Sequence, residues 1–254
     1  SQVVSYSPHG YPIVEVDALK IESVAKFGYG KTLPVLIAQN AGYNSVHFID
    51  FEYLVQPIDT SYVQSKKAHS GSKAFNLSMA PMQKFLEGVK LTEPLLNKGA
   101  SIKLWLRSSL SNNPASPNFG LKNPHPNLKA IINNHAYDFR PVAQTGEWTL
   151  YEALIKTWTG LAQGNSFDVR LSYNFAGSEE VLMDDFRFQP TDAVVNCTVF
   201  NEDFKVAAQF DDQHFGVFYE YNHQGNLVRK SIETERGRKT LQEQQYNTPM
   251  VERH

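Results

Sequence analysis

The stretch AHSGSKAFNL, residues 68–77, passes directly from a polar turn into an apolar strand. Residues 70–72 read Ser-Gly-Ser, and glycine gives a turn backbone freedom that other residues lack. An apolar run through Phe75 and Leu77 follows at once, which is typical of a strand that crosses a sheet. We therefore predict a tight turn that leads into a buried strand.

Four further segments carry strand patterns. They are VHFIDFE (46–52), SIKLWLRSS (101–109), GEWTLYEALI (146–155) and VLMDDFRFQ (181–189). In the second of these, aliphatic residues at even positions alternate with Lys103, Trp105 and Arg107, the period of a strand. Trp105 then lies on the face opposite the aliphatic residues, where it faces solvent or is covered by a neighbour. The segment LKAIINNHAYDF (128–139) predicts a hairpin, because Asn133 and Asn134 accept a positive φ in its turn. Many short strands with almost no helical periodicity predict an antiparallel sandwich.

The order of these segments resembles the jelly roll of carbohydrate-binding modules. In that fold an opening strand ends in Phe-Glu, a Ser-Gly turn starts the next strand, a Trp-led strand follows, and an Asp-Asp strand closes the sandwich. The resemblance implies an all-β, antiparallel jelly-roll β-sandwich over residues 46–190. It also suggests glycan binding, although a fold alone does not confer a function.

The closing strand contains an acidic residue on its predicted inward face. By period two, this face comprises Leu182, Asp184, Phe186 and Phe188. An inward carboxylate is costly unless it is paired or bound to a cation. One interpretation, without metal, is that Asp184 accepts hydrogen bonds from loop amides, from Arg187 or from Lys73.

The resemblance offers a second interpretation, because a structural calcium ion lies at one edge of this type of jelly roll. Carried over to this chain, its ligands are Glu52, Asp184 and backbone carbonyls of residues 70–73. Hard oxygen ligands of this kind suit calcium.

Glycan binding requires exposed aromatic rings with polar groups nearby. The candidates are Trp105, Trp158, Tyr137 and Tyr173, with Asn112, Asn113 and Asn118 on a proline-rich loop at 108–127. A loop this long is often a functional segment. The alternative is that the four rings belong to the core of the sandwich and to packing between domains.

The segment AKFGYGKT, residues 25–32, fits a phosphate-binding loop in which alanine replaces the first glycine. Lys31 and Thr32 would then contact phosphate and magnesium. A helix must follow such a loop, but Pro34 and the β-branched Val35 come next. We therefore predict a β-turn around residues 28–30 instead.

The flanks of the sandwich carry a second resemblance. FGYGKTLPVLIAQNAGYN (27–44) is similar to the segment that precedes the sandwich in RHS/YD-repeat-like surface proteins of Bacteroidota, and YEYNHQGNL (219–227) resembles a YD repeat with Asn222 in place of Asp. A YD repeat is a β-hairpin unit. The resemblance implies an N-terminal β-rich arm at 1–45, the tail of an upstream repeat region, and a YD-repeat-like β segment and tail at 191–254. Residues 231–245 predict a final hairpin through Gly237 or a short helix.

Composition excludes several functional classes. The net charge of −2 gives no general case for nucleic acid as a partner, and the single Cys197 excludes an intrachain disulfide framework. No apolar run approaches the ~20 residues of a transmembrane segment, and no signal peptide is visible. HExxH and GxSxG motifs are absent. A glycosidase needs two facing carboxylates. The available acids are Glu52, Glu147, Glu152, Asp184 and Asp185, and no spacing sets a pair among them face to face.

These observations predict a non-catalytic structural or adhesion module of a larger exported protein, located outside the cell or at its surface. The resemblance implies export by the type IX secretion route. The expected partners are other domains of the same or a larger surface protein, and an outer-membrane protein or the secretion translocon. The alternatives are a glycan-binding module and a glycoside hydrolase.

Overall fold

The computed structural model describes residues 1–53, 57–65, 67–108, 127–174, 180–234 and 236–246. These residues form twenty strands, three 3-10 turns and one short helix, α1 (Glu93–Lys98), which confirms the predicted all-β fold. The candidates Asn112, Asn113 and Asn118 lie outside the described residues. Within the described ranges, no helix has both the length and the apolar character needed to cross a membrane.

The strands follow one another along the whole chain. In chain order they are β1 (Gln2–Tyr6), β2 (Pro12–Val16), β3 (Glu22–Gly28), β4 (Leu33–Gln39), β5 (His47–Ile49), β6 (Val63–Gln64), β7 (Ala74–Asn76), β8 (Met82–Lys90), β9 (Ala100–Arg107), β10 (Leu128–Ile132), β11 (His135–Asp138), β12 (Arg140–Thr145), β13 (Trp148–Ile155), β14 (Ser166–Tyr173), β15 (Leu182–Pro190), β16 (Val194–Phe200), β17 (Val206–Phe210), β18 (Gly216–Tyr221), β19 (Leu227–Thr234) and β20 (Gly237–Glu243).

Two antiparallel sheets form a sandwich. The seven-stranded sheet has the order β12-β13-β9-β15-β7-β6, and β5 also pairs with β15. The four-stranded sheet has the order β11-β10-β14-β8. Their facing side chains form one buried cluster, in which Leu104 and Phe188 come from the first sheet and Val169 and Leu171 from the second. The alternation of apolar residues along these strands therefore specifies which face is buried.

The two ends of the chain form a third, nine-stranded sheet. Its order is β1-β2-β3-β4-β16-β17-β18-β19-β20, and every neighbouring pair is antiparallel. At its middle, β4 pairs with β16, with Ile37 opposite Asn196. The complete sandwich lies in the chain between these two strands. It is therefore an insertion into a sheet that otherwise runs strand by strand.

One face of the nine-stranded sheet packs on the outer face of the seven-stranded sheet. Leu36, Val195 and Phe210 belong to a second buried cluster on this face. Phe48 of β5 packs against it, with its ring centroid 6.1 Å from that of Phe210. The molecule is therefore built of three layers, with the seven-stranded sheet in the middle.

A β-bulge in β15 corrects the predicted face of Asp184. The pairing of β15 with β9 shifts between Asp184 and Arg187, and Asp185 has a φ of 51°. Because an extra residue reverses the alternation, Asp184 does not share a face with Phe186 and Phe188. Phe186 faces the core of the sandwich, whereas Asp184 lies opposite Trp105 on the face that meets the nine-stranded sheet.

Three predicted turns are confirmed. The residues between β3 and β4 form a hairpin turn with Gly30 at a φ of 71°, and a strand follows where a phosphate loop would require a helix. Asn133 and Asn134 have φ values of 47° and 63° in the hairpin between β10 and β11. Of the two alternatives for residues 231–245, the hairpin is observed, because β19 and β20 pair through Gly237.

Candidate functional site

A group of buried polar side chains lies where the seven-stranded and nine-stranded sheets meet. We call His69, Ser70, Asp184, Asp185 and Glu233 the junction cluster. His69 and Ser70 precede the turn that leads into β7, and the two aspartates lie at the bulge of β15. Glu233 comes from β19 in the nine-stranded sheet. The cluster therefore joins the inserted sandwich to the sheet that carries it.

His69 is held between two carboxylates. Its Nδ1 lies 2.7 Å from Oδ2 of Asp185, and its Nε2 lies 2.6 Å from Oε1 of Glu233. Both ring nitrogens donate in this arrangement only if the imidazole is protonated. Burial opposes that charge, but the carboxylates of Glu233 and Asp185 outweigh it and raise the pKa of His69 above its ordinary value.

Aromatic rings cover both faces of the His69 imidazole. The Trp105 ring stacks on it at 4.2 Å between centroids and an interplanar angle of 16°. Phe210 lies on it at 5.9 Å and 25°. A cation over an aromatic face is favourable, more so when water is excluded. Trp105 thus supports the charged form of His69 and fills the space between the two layers.

The acids at the bulge accept hydrogen bonds from the Ser-Gly turn. Oδ2 of Asp184 accepts from the backbone N–H groups of His69 at 2.7 Å and Ser70 at 3.0 Å, and its Oδ1 accepts from the N–H of Asp185 at 2.8 Å. Oδ1 of Asp185 accepts from the Ser70 hydroxyl at 2.6 Å. Burial raises the pKa of both acids; the Asp185 carboxylate adds to the rise at Asp184, and His69 opposes it at Asp185.

The nine-stranded sheet completes the cluster. Oε2 of Glu233 accepts from the N–H of Gly216 at 2.5 Å, and Arg238 donates to the carbonyl of His69. His214 Nε2 lies 2.6 Å from the carbonyl of Asp185, so it carries the hydrogen and donates. Burial, with the nearby charge of Arg187, lowers the pKa of His214 well below its ordinary value, which keeps that ring neutral.

Arg187 adds a second connection between the same two layers. The side chain is fully buried on β15, and it donates to the backbone carbonyls of Val195 in β16 and of Asp211 and Asp212 in the turn between β17 and β18. Nζ of Lys103 donates to the Asp212 carbonyl at 3.1 Å. Two cations of the sandwich are therefore bound by carbonyl oxygens of the neighbouring sheet.

The two predicted metal ligands hold one turn from two sides. Oε1 of Glu52 accepts from the N–H groups of Ser72 at 2.5 Å and Lys73 at 2.6 Å. On the other side, Asp184 accepts from the N–H of His69. Gly71 has a φ of 59°, and a Cβ there would lie 2.5 Å from Oε1 of Glu52. The carboxylates thus contact turn amides, which matches the metal-free interpretation of Asp184.

The described residues contain no group of three or more His, Cys, Asp or Glu side chains arranged to hold a metal ion. Carboxylate oxygens of Glu52 and Asp184 accept hydrogen bonds from backbone amides. The two side chains therefore act on the Ser-Gly turn by fixing its backbone. The calcium ion implied by the resemblance stays a prediction.

The four aromatic residues predicted for glycan binding do not share a surface. Trp105 lies in the junction and is 0% exposed, whereas Tyr173 (1% exposed) and Trp158 (7% exposed) belong to the core of the sandwich. Tyr137 is partly buried against that core, and its hydroxyl donates to the carbonyl of Thr157 at 2.7 Å. The three buried rings are placed as the alternative interpretation expected, in the core or between layers. Glycan binding at these residues stays a prediction.

Among the acids considered for hydrolysis, Glu52, Asp184 and Asp185 accept hydrogen bonds around the Ser-Gly turn, whereas the other two lie elsewhere. Glu147 is exposed and pairs with Arg107 at 2.8 Å, and Glu152 accepts from the Ser101 hydroxyl at 2.6 Å. Sequence reasoning missed His69 and Glu233 as a pair. The available signal was the position of His69 directly before the Ser-Gly turn, but its partner lies 164 residues away.

No family model and no curated protein matches this chain. The chemistry available to the junction cluster follows from its burial and its hydrogen bonds. His69 and Asp185 are 1% and 0% exposed, and both ring nitrogens of His69 and both carboxylate oxygens of Asp185 have partners within the protein. Such a cluster can fasten two sheets together.

Proposed function

We propose that this chain is a non-catalytic structural module, which presents a β-sandwich in a fixed orientation on a sheet of a larger exported surface protein. The observation that carries the proposal is the insertion of the sandwich between β4 and β16, two neighbouring strands of one sheet. Because both ends of the insertion leave from adjacent strands, the sheet constrains the sandwich at its two attachment points.

The junction cluster supports a fixed orientation. A buried charge is stable only in a geometry that pairs it. Sliding or tilting of the sandwich would therefore separate the charged His69 from the carboxylate of Glu233 in the nine-stranded sheet. The three carbonyls bound by Arg187 add the same requirement at a second position. A flexible attachment would need neither the paired charge of His69 nor the hydrogen bonds of Arg187.

The finer assignment, a jelly roll flanked by YD-repeat-like hairpins, belongs to the same proposal. It is supported by the hairpin of β18 and β19, where Gly225 has a φ of 80° in the turn after Asn222. Export rests on the resemblance alone. Protease treatment of intact cells of the source organism tests it: cleavage of the protein on intact cells is expected, and protection until the cells are lysed would contradict export.

Hydrogen exchange with mass spectrometry along a urea gradient tests the structural role. We expect peptides of β4 and β16 to lose protection at the same urea concentration as peptides of β9 and β13, because the layers unfold as one unit. Loss of protection in the nine-stranded sheet at clearly lower urea, with the sandwich intact, would overturn the proposal.

A panel of chromogenic glycosides and esters separates the module from a hydrolase. We expect no turnover above background. Turnover that is lost in Glu233→Gln while the variant keeps the far-ultraviolet circular dichroism of the wild type would show that the junction cluster is catalytic.

A further inference from the structure

A cavity of about 450 Å³ lies where β3 and β4 of the nine-stranded sheet approach β5 and β8 of the sandwich. Its volume is within the range of pockets that bind small molecules. Tyr43 and Tyr53, which are 36% and 39% exposed, are among its lining residues and give it a side that opens to solvent. Residues 54–56, which follow Tyr53, lie outside the described residues.

One lysine in this cavity has no anionic partner. Among the described residues, Lys26 forms no ion pair and no hydrogen bond through Nζ, and its recorded contact is the Tyr43 ring, with Nζ 4.8 Å from the centroid. Burial lowers the pKa of Lys26 to about 8. A half-buried ammonium group without a counter-ion is destabilised, so an anion bound beside it would form a charge-assisted hydrogen bond that the described residues do not supply.

The rest of the lining determines what such an anion must look like. Val35, Phe48, Ile49 and Phe85 provide apolar surface in the same cavity. Asp50 and Glu87 also line it, and burial raises the pKa of Asp50 to about 7. A second negative charge on the ligand would meet Asp50, whereas an apolar group would meet aromatic and aliphatic walls.

We propose that this cavity binds a small monocarboxylate with an apolar body. The carboxylate contacts Nζ of Lys26, and the body lies against Val35, Phe48 and Phe85. The assignment is independent of the structural role of the module, because none of these residues belongs to the junction cluster.

Calorimetric titration with 3-phenylpropionate tests this assignment, with 3-phenylpropanamide as a probe of the same shape and no charge. We expect the acid to bind at least about tenfold more tightly than the amide, the difference that one charge-assisted hydrogen bond supplies. Lys26→Met keeps the apolar stem and removes the charge, so it should abolish that preference, while Lys26→Arg should retain it. The matched control is Lys31→Met, at the turn that follows β3.

Equal affinity of the acid and the amide would overturn the proposal, as would an unchanged preference in Lys26→Met or an absence of binding by both probes. Lys26→Met should fold, because it removes a charge that is costly to bury without a partner, and far-ultraviolet circular dichroism of the variant checks this. A second measurement is acetylation of lysines at pH 8, followed by mass spectrometry. The acid should protect Lys26 and leave Lys31 unprotected; equal labelling of Lys26 with and without the acid would contradict the proposed contact.

Discussion

The substitution Glu233→Gln tests whether the junction cluster holds the layers together. The side chain keeps its shape, and its amide oxygen can still accept from the N–H of Gly216. The substitution removes the negative charge of Glu233, whose carboxylate lies 2.6 Å from Nε2 of His69 inside the protein. His69 must then either remain charged with one carboxylate fewer or lose its proton.

The expected cost follows from the burial of the pair. Removing one partner of a buried ion pair costs about 3–5 kcal/mol of the free energy of unfolding, because the other charge is left uncompensated. Since glutamine preserves the bond to Gly216, we expect the lower end, about 3 kcal/mol. With a urea m-value of about 3 kcal/mol per molar, this lowers the unfolding midpoint by about 1 M.

The matched control is Glu220→Gln in the same sheet. Glu220 pairs with Arg229 at 3.0 Å, but both side chains are exposed, so the expected cost is below about 1 kcal/mol. Urea unfolding followed by circular dichroism and by tryptophan fluorescence measures both variants. A loss of stability in Glu233→Gln no larger than that in Glu220→Gln would show that the junction cluster does not hold the layers together.

The pH dependence of this loss has a definite sign. Because the pKa of His69 is raised in the folded protein, its contribution is complete below the unfolded value of about 6.5 and is lost as the pH rises through the folded value. The difference in the free energy of unfolding between the wild type and Glu233→Gln should therefore be largest below about pH 6.5 and become smaller at alkaline pH. A difference that widens with rising pH would mean that His69 is neutral in the folded state.

Two further substitutions test other parts of the structure. Burial raises the pKa of Asp50 from 3.8 to about 7, so its contribution to stability is present below pH 3.8 and is lost as the pH rises through 7. The free energy of unfolding of Asp50→Asn, taken relative to that of the wild type, should rise by up to about 4 kcal/mol from pH 4 to pH 8 in thermal melts. A difference that does not change with pH would contradict this. Gly99 has a φ of 84°, and a Cβ there would lie 2.4 Å from the carbonyl oxygen of Ile155, whereas Gly146 has a φ of 56° and open space. Gly99→Ala should cost about 3 kcal/mol and Gly146→Ala about 1 kcal/mol in urea unfolding; equal costs would show that the contact is not limiting.

The strands of the sandwich could be predicted because their signals are local. Alternation over residues 101–109 predicted β9 with its aliphatic residues on one face, and they do lie in the core. The Asn133-Asn134 hairpin followed from residues that tolerate a positive φ. Each of these features depends on neighbours within a few positions, and a single sequence contains that information.

The bulge and the insertion depend on distant residues. Period two predicted an inward Asp184, but the extra residue at Asp185 reversed the face, and no local pattern distinguishes a bulged strand from a regular one. The pairing of β4 with β16 joins two segments that the whole sandwich separates in the chain. The register of two strands that are so far apart in the chain depends on which of their faces is buried in the folded protein.

The most direct test of the insertion is a designed disulfide between Ile37→Cys and Asn196→Cys, in a Cys197→Ala background. These positions are opposite each other on β4 and β16, and Ile37 is 51% exposed. Antiparallel partners have Cα atoms about 4.5–5.5 Å apart, within the range that a disulfide spans. Ile37→Cys with Thr198→Cys is offset by two residues and serves as the control.

Mild oxidation followed by peptide mass spectrometry is the measurement. A single sheet interrupted by the sandwich predicts an intramolecular 37–196 cross-link in near-complete yield and little 37–198 cross-link. Absence of the 37–196 cross-link, or equal yields from the two pairs, would contradict the pairing of β4 with β16.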